Sequence, residues 1–260
     1  MQIGIIGTGN ISTFLLDQVK KNNDFDGEVV AIFGRNQEAG MQLSERFGVE
    51  FHIDFETFLE SPMDIVVEAA TGEAVKLYAK DILGSDKDLI VSSIGAFSDI
   101  QFLDEISALT KKNGRHMYLP SGAIGGLDLL KSANVLNGLK RVQITTRKSP
   151  ASLGMDGDCP EEILFEGSAR EAIQRFPKNV NVALVLALAG IGVEKTGVRV
   201  IADPAIARNT HTIEAEGSFG YMHLKVENNP MPTNPKTSLL AALSILAALQ
   251  NKEDSVKIGS

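Results

Sequence analysis

The chain opens on a short apolar segment that ends in a glycine-rich turn. Residues 2–6 have the composition of a buried parallel strand, and the segment Gly7–Ser12 reads Gly-Thr-Gly-Asn-Ile-Ser. A helix is predicted over 10–20, because apolar residues recur there at a spacing of four. A strand, a tight glycine turn and a helix in this order restrict the fold to classes that begin with a strand–helix unit.

The same strand–helix unit recurs through the first half of the chain. The predicted strands are short and apolar. Those at 64–67 and 89–91 are followed by Gly, Ser or Thr, and the predicted helices after the first end at or just before a glycine. The further strands are predicted at 29–33, 64–67, 89–91 and 116–119, and the further helices at 37–47, 73–83 and 99–112. Repeated units of this length predict an α/β fold with a Rossmann-type, doubly wound parallel sheet.

The pattern changes after about Ser121, where strand-like segments with period-two alternation predominate. Strands are predicted at 140–146, 162–167, 198–203, 210–216 and 221–227, and helices at 124–135, 169–175 and 181–189. This pattern predicts a second, α+β domain built on a mostly antiparallel sheet. A loop is predicted over 228–235, followed by an apolar helix over 236–250 that we expect to pack on the first domain. The predicted domains are therefore 1–121 plus 234–260, and 122–233.

The glycine-rich turn is typical of a dinucleotide site. Gly7 permits the tight turn, Gly9 lets the backbone approach the phosphates, and the helix start at Asn10 and Ile11 offers free N–H groups. A phosphate site for another ligand is the alternative. The second strand is followed by Gly34, Arg35 and Asn36 rather than by an acid, and Arg35 can pair with a 2′-phosphate, stack on adenine or lie in solvent. The cofactor is therefore expected to be NAD or NADP.

Composition excludes several other functions. The 25 Lys and Arg residues against 33 Asp and Glu give a net charge of −8, which argues against nucleic-acid binding. The single cysteine, Cys159, excludes an intrachain disulfide and is interpreted as a free thiol, and we expect no metal site. No apolar run reaches the roughly 18 residues of a membrane span. We expect a cytoplasmic protein that does not bind membranes, with a small-molecule substrate, and a homodimer.

Histidines are the candidate acid–base groups. His52 and His116 are interpreted as structural, and His223 is expected to face solvent or a partner subunit. His211 lies in an alternating strand on the same face as Ile213, which places its imidazole on a semi-buried face. This pattern alone slightly favours a structural core histidine over a catalytic one.

Five sequence blocks, in order along nearly the whole chain, give it a family resemblance. They are the Gly7–Gly9 opening, the segment 120–128 (PSGAIGGLD), the segment 179–183 (NVNVA), the segment 202–211 (ADPAIARNTH) and the segment 234–238 (NPKTS). With these blocks the chain resembles the L-aspartate dehydrogenase family. The resemblance implies NAD(P)-dependent oxidation of L-aspartate to iminosuccinate, which yields oxaloacetate and ammonia or feeds pyridine nucleotide biosynthesis.

The resemblance also implies roles for particular residues. It makes His211 the catalytic acid–base group and Ala123 and Asn181 cofactor contacts. Lys236, Thr237 and Ser238 are expected to start the last helix, where a helix N-terminus and a lysine would bind substrate carboxylates; a solvated helix start is the alternative. Two other functions remain open: another NAD(P) oxidoreductase of the homoserine dehydrogenase or dihydrodipicolinate reductase type, and a catalytically silent dinucleotide-binding protein.

Overall fold

The computed structural model describes residues 1–22, 24–155, 160–176, 181–256 and 258. Cys159 and the first two residues of the 179–183 block lie outside the described residues. The chain forms two compact units, one of Met1–Pro120 with Ile245–Ser255 and one of Ser121–Ser244 with Val256–Ser260. The second unit thus includes residues 234–244, which the sequence analysis placed in the first domain.

The first unit is built on a six-stranded parallel sheet with the strand order β3-β2-β1-β4-β5-β6. Its strands are β1 (Gln2–Ile6), β2 (Glu28–Phe33), β3 (Glu50–His52), β4 (Ile65–Glu68), β5 (Asp88–Val91) and β6 (Met117–Tyr118). Its helices are α1 (Asn10–Lys21), α2 (Gln37–Phe47), α3 (Phe55–Glu60), α4 (Gly72–Gly84) and α5 (Ile100–Asn113). The strand order reverses between β1 and β4, which confirms the predicted Rossmann-type sheet and creates its ligand-binding switch point.

The sequence predicted no helix at α3 and placed His116 inside a strand; both points need correction. Helix α3 has six residues, too few for a recognisable apolar period, and it is set by Asp54, whose side chain accepts a hydrogen bond from the backbone N–H of Thr57. His116 lies before β6 rather than inside a strand, and its side chain is 71% exposed. Its backbone N–H donates to the carboxylate of Asp88 at 2.9 Å.

The second unit is built on a five-stranded sheet with the order β11-β10-β7-β9-β8. Its strands are β7 (Leu139–Lys148), β8 (Glu162–Ser168), β9 (Thr196–Ala202), β10 (Asn209–Gly217) and β11 (Gly220–Asn228). Its helices are α6 (Leu127–Asn134), α7 (Ala169–Arg175) and α8 (Asn181–Ala189). Three of the four strand pairings are antiparallel and only β7 with β9 is parallel, which confirms the mostly antiparallel α+β domain.

The predicted loop and helix after β11 were partly wrong. Residues 230–238 form a small antiparallel hairpin of β12 (Pro230–Met231) and β13 (Asn234–Ser238), with a turn at Pro232 and Thr233. The last helix, α9, begins at Leu239 and ends at Glu253. Proline is tolerated in β13 because this strand belongs to a sheet of only two strands and needs hydrogen bonds on one side alone.

The C-terminal part of α9 completes the core of the first unit, as expected from its apolar sequence. Ile245, Leu246 and Leu249 belong to the same buried cluster as β1 residues Ile3 and Ile5. Farther along the helix, the Lys252 ammonium donates to the carboxylate of Asp88 at 2.6 Å. Burial of each large apolar side chain stabilises the fold by about 1.5–3 kcal/mol. No described helix combines the length and the apolar character needed to cross a membrane.

Candidate active site

The turn from β1 to α1 is shaped to receive an anion. Gly7 has φ +119°, and a Cβ added there would lie 2.5 Å from the carbonyl oxygen of Ala69, so a side chain is excluded. Gly9 is exposed, and a Cβ there would meet nothing within 4 Å. Gly9 also caps α1 without any side-chain hydrogen bond. The first-turn N–H groups, including those of Asn10 and Ile11, are therefore not satisfied by a side-chain cap.

The neighbouring helices of the first unit differ from α1 in this respect. Helices α2, α3, α4 and α5 all begin with a side chain that accepts a hydrogen bond from the first turn; the capping residues are Asn36, Asp54, Thr71 and Asp99. A helix end without such a cap is a ready anion site when its N–H groups reach open space. This contrast within one unit points to the pyrophosphate of a dinucleotide at the N-terminus of α1.

The turn opens into a cleft of about 350 Å³ within the first unit. The lining residues come from the ends of β1, β2 and β4 and from α4: Ile6, Gly7, Thr8, Gly9, Phe33, Gly34, Arg35, Asn36, Ala69, Ala70, Thr71, Glu73, Ala74, Leu77 and Tyr78. Arg35 is exposed at the end of β2, where a ribose-binding acid is common in this fold. Apolar walls, one arginine and an uncapped helix fit the adenosine and pyrophosphate of NAD or NADP.

Glu68 joins two of the loops at the carboxyl end of the sheet, and its carboxylate was given no role in the sequence analysis. It is 1% exposed and accepts hydrogen bonds from the backbone N–H groups of Ala70 and Ser93 and from the Ser93 hydroxyl, at 2.8–2.9 Å. Burial raises the pKa of Glu68, although these hydrogen bonds act to lower it. The sequence feature that could have identified Glu68 is a single acidic residue at the end of an otherwise apolar strand. Glu68 fixes the loops after β4 and β5 relative to each other.

His211 lies on β10 in the second unit, on the buried side of the strand. It is 5% exposed, and its neighbours on that side, Ile213 and Ala215, are also buried, as the alternation predicted. A hydrogen bond of 2.9 Å joins the imidazole Nδ1 to the Thr146 hydroxyl on β7. Burial, together with a smaller effect of the positive charge of Lys148, lowers the pKa of His211 to about 4. The imidazole is therefore neutral at pH 7.

Thr146 and Lys148 were missed as site residues. The predicted strand ended at Thr146, whereas β7 continues to Lys148. Because side chains alternate along a strand, Lys148 lies on the same face as Thr146. Lys148 is half-buried, and burial lowers the pKa of its ammonium. Extending the alternation by two residues would have revealed a lysine on the histidine side of the sheet.

Asn228, at the end of β11, holds two segments of the second unit together. Its side-chain amide donates to the carbonyl oxygen of Ala123 at 2.9 Å, and its side-chain oxygen accepts from the Ser238 hydroxyl at 2.7 Å. Asn228 is 4% exposed, and its hydrogen bond to Ala123 is buried. The position of Ala123, an expected cofactor contact, is thus set by the end of the sheet. Asn181, the other such contact, is exposed at the start of α8.

The structure does not place Lys236, Thr237 and Ser238 at a helix start. All three lie in β13, and α9 begins only at Leu239. The Thr237 hydroxyl accepts from the side chain of Asn234, and the Ser238 hydroxyl is bonded to Asn228. The helix-dipole argument for carboxylate binding at these residues was therefore wrong. Ser238 instead contributes to a cleft of about 360 Å³ in the second unit, together with Ser149, Ala151, Ser152, Ala207, Arg208, Asn209, Asn228, Asn229 and Pro230.

The other histidines lie in surroundings that suit structural or surface roles. His52 is largely buried on β3 and is 3.3 Å from the Ser61 hydroxyl. His223 is 53% exposed beside Glu214. Among the residues that the structure describes, no group of three or more His, Cys, Asp or Glu side chains could hold a metal ion.

Comparison with known proteins agrees with this geometry. A family model for the C-terminal domain of aspartate dehydrogenase matches residues 128–252, and one for the NAD-binding domain of homoserine dehydrogenase matches residues 7–120. L-aspartate dehydrogenase of Archaeoglobus fulgidus is 40% identical over 99% of this chain and 100% of its own length. That of Methanococcoides burtonii is 38% identical over the full length of both chains.

The solved structures include a similar protein. The crystal structure of aspartate dehydrogenase from Thermotoga maritima superposes with a TM-score of 0.82, at 34% identity, covering 100% of this chain and 99% of that one. Similarity over the whole length includes both the nucleotide-binding unit and the unit that carries His211. The chain belongs to the L-aspartate dehydrogenase family.

Proposed function

We propose that this protein catalyses the NAD(P)-dependent oxidative deamination of L-aspartate. The observation that carries the proposal is its full-length similarity, at 38–40% identity, to enzymes named L-aspartate dehydrogenase. The product is iminosuccinate, which takes up water and releases ammonia to give oxaloacetate. The matching of residues 128–252 to the aspartate dehydrogenase model favours this reaction over that of homoserine dehydrogenase, whose model matches only the nucleotide-binding half.

The first unit supplies the residues that would hold the cofactor. The backbone at Gly7, Gly9, Asn10 and Ile11 offers the uncapped N–H groups for the pyrophosphate. Arg35 lies in the same cleft, where its guanidinium can pair with the 2′-phosphate of NADP or stack on adenine. The bound, oxidised nicotinamide supplies the acceptor for the hydride that leaves Cα of the substrate. Ala123 and Asn181 remain proposed cofactor contacts from the family resemblance.

His211 is proposed as the acid–base group. The substrate amine must lose a proton before the C=N bond can form as hydride leaves Cα, and a neutral imidazole can take that proton. When the Thr146 hydroxyl accepts a hydrogen bond from Nδ1–H, the lone pair of Nε2 is available for this step. Once that proton has passed from Nε2 to solvent, the same nitrogen can take a proton from the water that adds to the C=N bond of iminosuccinate. Thr146 thus acts as a positioning residue for the imidazole.

Removal of the imidazole tests this assignment. We expect His211→Ala to lower kcat by about 10²- to 10⁴-fold, the usual contribution of a general acid–base group, while the protein stays folded and binds NAD(P). Reduction of the cofactor with L-aspartate gives kcat, fluorescence titration gives the cofactor Kd, and thermal melting gives stability. His116→Ala is the matched control, because the His116 side chain is 71% exposed in the first unit and is not among the residues that line the cofactor cleft. A stable His211→Ala protein with near-normal kcat would contradict the role.

We also propose that the protein is a homodimer that works in the cytoplasm. The exposed face of the second sheet at its edge strand β11 is the surface that supports the dimer. Tyr221, His223 and Lys225 alternate along β11 on this face, and all three are exposed. A cytoplasmic site is supported by the expected substrates, since NAD(P) and L-aspartate are both plentiful there. Light scattering of the purified protein measures the mass, and a monomer at micromolar concentration would contradict the dimer.

A further inference from the structure

The second unit contains a cleft of about 360 Å³ whose lining is mostly polar and includes one cation. Of the ten described residues that line it, six have neutral hydrogen-bonding side chains and one, Arg208, is positively charged; none of the ten is acidic. This composition contrasts with the chain as a whole, which carries a net charge of −8. A cation among neutral donors attracts a negatively charged ligand.

Arg208 supplies the positive charge of this cleft. It lies directly before β10 and is exposed. Other arginines of the second unit, such as Arg147 and Arg199, are each paired with a carboxylate. The pKa of Glu227 is lowered mainly by its ion pair with Lys225, at 2.6 Å, and only slightly by the charge of Arg208. The guanidinium of Arg208 therefore differs from the other two in facing a cleft that can hold a ligand.

The neutral side chains of the cleft have two different functions. Asn228 and Ser238 bond to each other, and Asn228 also donates to a backbone carbonyl, so these two residues form a fixed wall. The amides of Asn209 and Asn229 and the hydroxyl of Ser149 line the same space and can donate to a ligand. An ionised carboxylate accepts up to about four hydrogen bonds. One guanidinium with several neutral donors therefore matches the needs of a carboxylate.

The cleft begins beside His211 on the same side of the sheet. Asn209 lines the cleft, and His211 is two positions farther along β10, so their side chains point to the same side of the strand. Two positions correspond to about 6.5–7 Å along a strand. His211 itself is buried and does not line the cleft. The cleft is thus placed to hold the part of a substrate that lies beyond the amine at the imidazole.

We propose that this cleft binds a carboxylate of the dicarboxylate substrate and that Arg208 is the residue that selects for it. The proposal rests on the proposed function. A carboxylate that leaves water needs a charged or strongly donating partner, because burying an unpaired charge is costly. The planar guanidinium of Arg208 can donate two parallel hydrogen bonds to one carboxylate. An amino acid with an apolar side chain gains no such pair, so Arg208 favours a dicarboxylate over it.

Calorimetric titration with succinate in the presence of NAD⁺ tests the proposal. Succinate has both carboxylates of the substrate but no amine to oxidise. In Arg208→Gln we expect succinate binding to weaken by about tenfold to a hundredfold, and the KM for L-aspartate to rise by a similar factor while kcat falls much less. Arg208→Lys should recover part of the affinity, because it keeps the charge but loses the paired hydrogen bonds.

Arg141→Gln is the matched control for the loss of an arginine. Arg141 is exposed in the same unit and is not among the residues that line the cleft. This variant should bind succinate like the wild type, and thermal melting shows whether each variant remains folded. Equal succinate affinity in Arg208→Gln and the wild type, or no binding of succinate to the wild type, would overturn the proposal.

A second variant tests the cleft without changing Arg208. Asn229 is exposed in the cleft lining, so Asn229→Asp adds one negative charge there with almost no change of shape. We expect it to weaken succinate binding by about fivefold or more, through repulsion of the carboxylate. Asn137→Asp is the matched control, because Asn137 is exposed outside the cleft and the change in net charge is the same. Equal succinate affinities in the two aspartate variants would contradict a carboxylate in the cleft.

The two proposals fail in different ways. If the wild-type protein does not reduce NAD(P)⁺ with L-aspartate but binds succinate in a manner that depends on Arg208, the dehydrogenase assignment fails and the carboxylate site stands. If L-aspartate is oxidised but Arg208→Gln has an unchanged KM and an unchanged succinate affinity, the assignment stands and the role of Arg208 fails.

Discussion

Leu249 on α9 tests whether the end of the chain is a structural part of the first unit. Its side chain is 1% exposed and belongs to the core cluster that contains the first strand. Truncating a buried leucine to alanine costs about 2–5 kcal/mol, because transfer energy is lost and a cavity remains. Domains of this size have a total stability of about 5–15 kcal/mol. We therefore expect Leu249→Ala to remove a large part of the stability of the first unit.

The control lies on the same helix. Leu243 is 40% exposed, so Leu243→Ala should change stability by no more than about 0.5 kcal/mol. Urea unfolding followed by circular dichroism measures both variants, and NAD(P) binding reports on the first unit specifically. Deletion of residues 245–260 removes Ile245, Leu246 and Leu249 together, about 6–15 kcal/mol, and should abolish cofactor binding. Equal unfolding midpoints for the two leucine variants would refute the packing argument.

Two further predictions concern charge. Arg35→Ala should weaken NADP binding by about tenfold to a hundredfold and NAD binding much less, because only NADP carries a 2′-phosphate. Titration of both cofactors measures this difference, and Arg46→Ala, outside the cleft, is the control. Equal losses of affinity for the two cofactors would show that Arg35 only stacks on adenine. The pKa of His211 falls from 6.5 to about 4 on folding. At pH values between these two, the unfolded chain binds more protons than the folded protein. This residue therefore makes the free energy of unfolding rise with pH from about 4 to 6.5. The contribution is about 3 kcal/mol, and urea unfolding of His211→Asn should show a correspondingly weaker pH dependence; an unchanged dependence would contradict the buried neutral imidazole.

The first unit could be predicted well because its elements are encoded locally. Residues 2–6 and 37–47 were predicted with the bounds that β1 and α2 have in the structure. In each case an apolar or periodic segment is followed directly by a glycine. Helix α3 could not be predicted in the same way, because its six residues are too few to show a period and its start depends on one capping side chain.

The hairpin after β11 illustrates what local sequence does not encode. The Asn- and Pro-rich composition of 228–235 is typical of a loop, yet Met231 pairs with Asn234 and Pro230 with Ser238. The turn at Pro232 and Thr233 has none of the Asn-Gly, Asp-Gly or Gly-containing pairs that are typical of two-residue hairpin turns, so the sequence carried no signal for this pairing. The predicted helix start at Lys236 was wrong for the same reason, and the substrate role inferred from that start lost its physical basis.

The site was only partly accessible from the sequence. His211 could be placed on the buried side of its strand by alternation, but the choice between a catalytic and a structural histidine depended on family resemblance. The positions of Thr146 and Lys148 relative to His211 depend on the register of β7 against β10, in which Thr146 lies opposite His211. Sequence spacing between residues 146 and 211 carries no information on that register.

The position of α9 has a consequence for the order in which the protein can fold during its synthesis. The ribosome makes residues 1–120 first, but the core that they form is completed by Ile245, Leu246 and Leu249. The apolar side chains of the first unit that pack against these three residues therefore stay exposed on the nascent chain until residues 245–249 have left the exit tunnel. Residues 121–244 contain all the strands of the second sheet and emerge earlier than this last piece. The domain translated first is thus the last to mature, and a stalled or prematurely terminated chain presents an incomplete nucleotide-binding domain to chaperones and proteases.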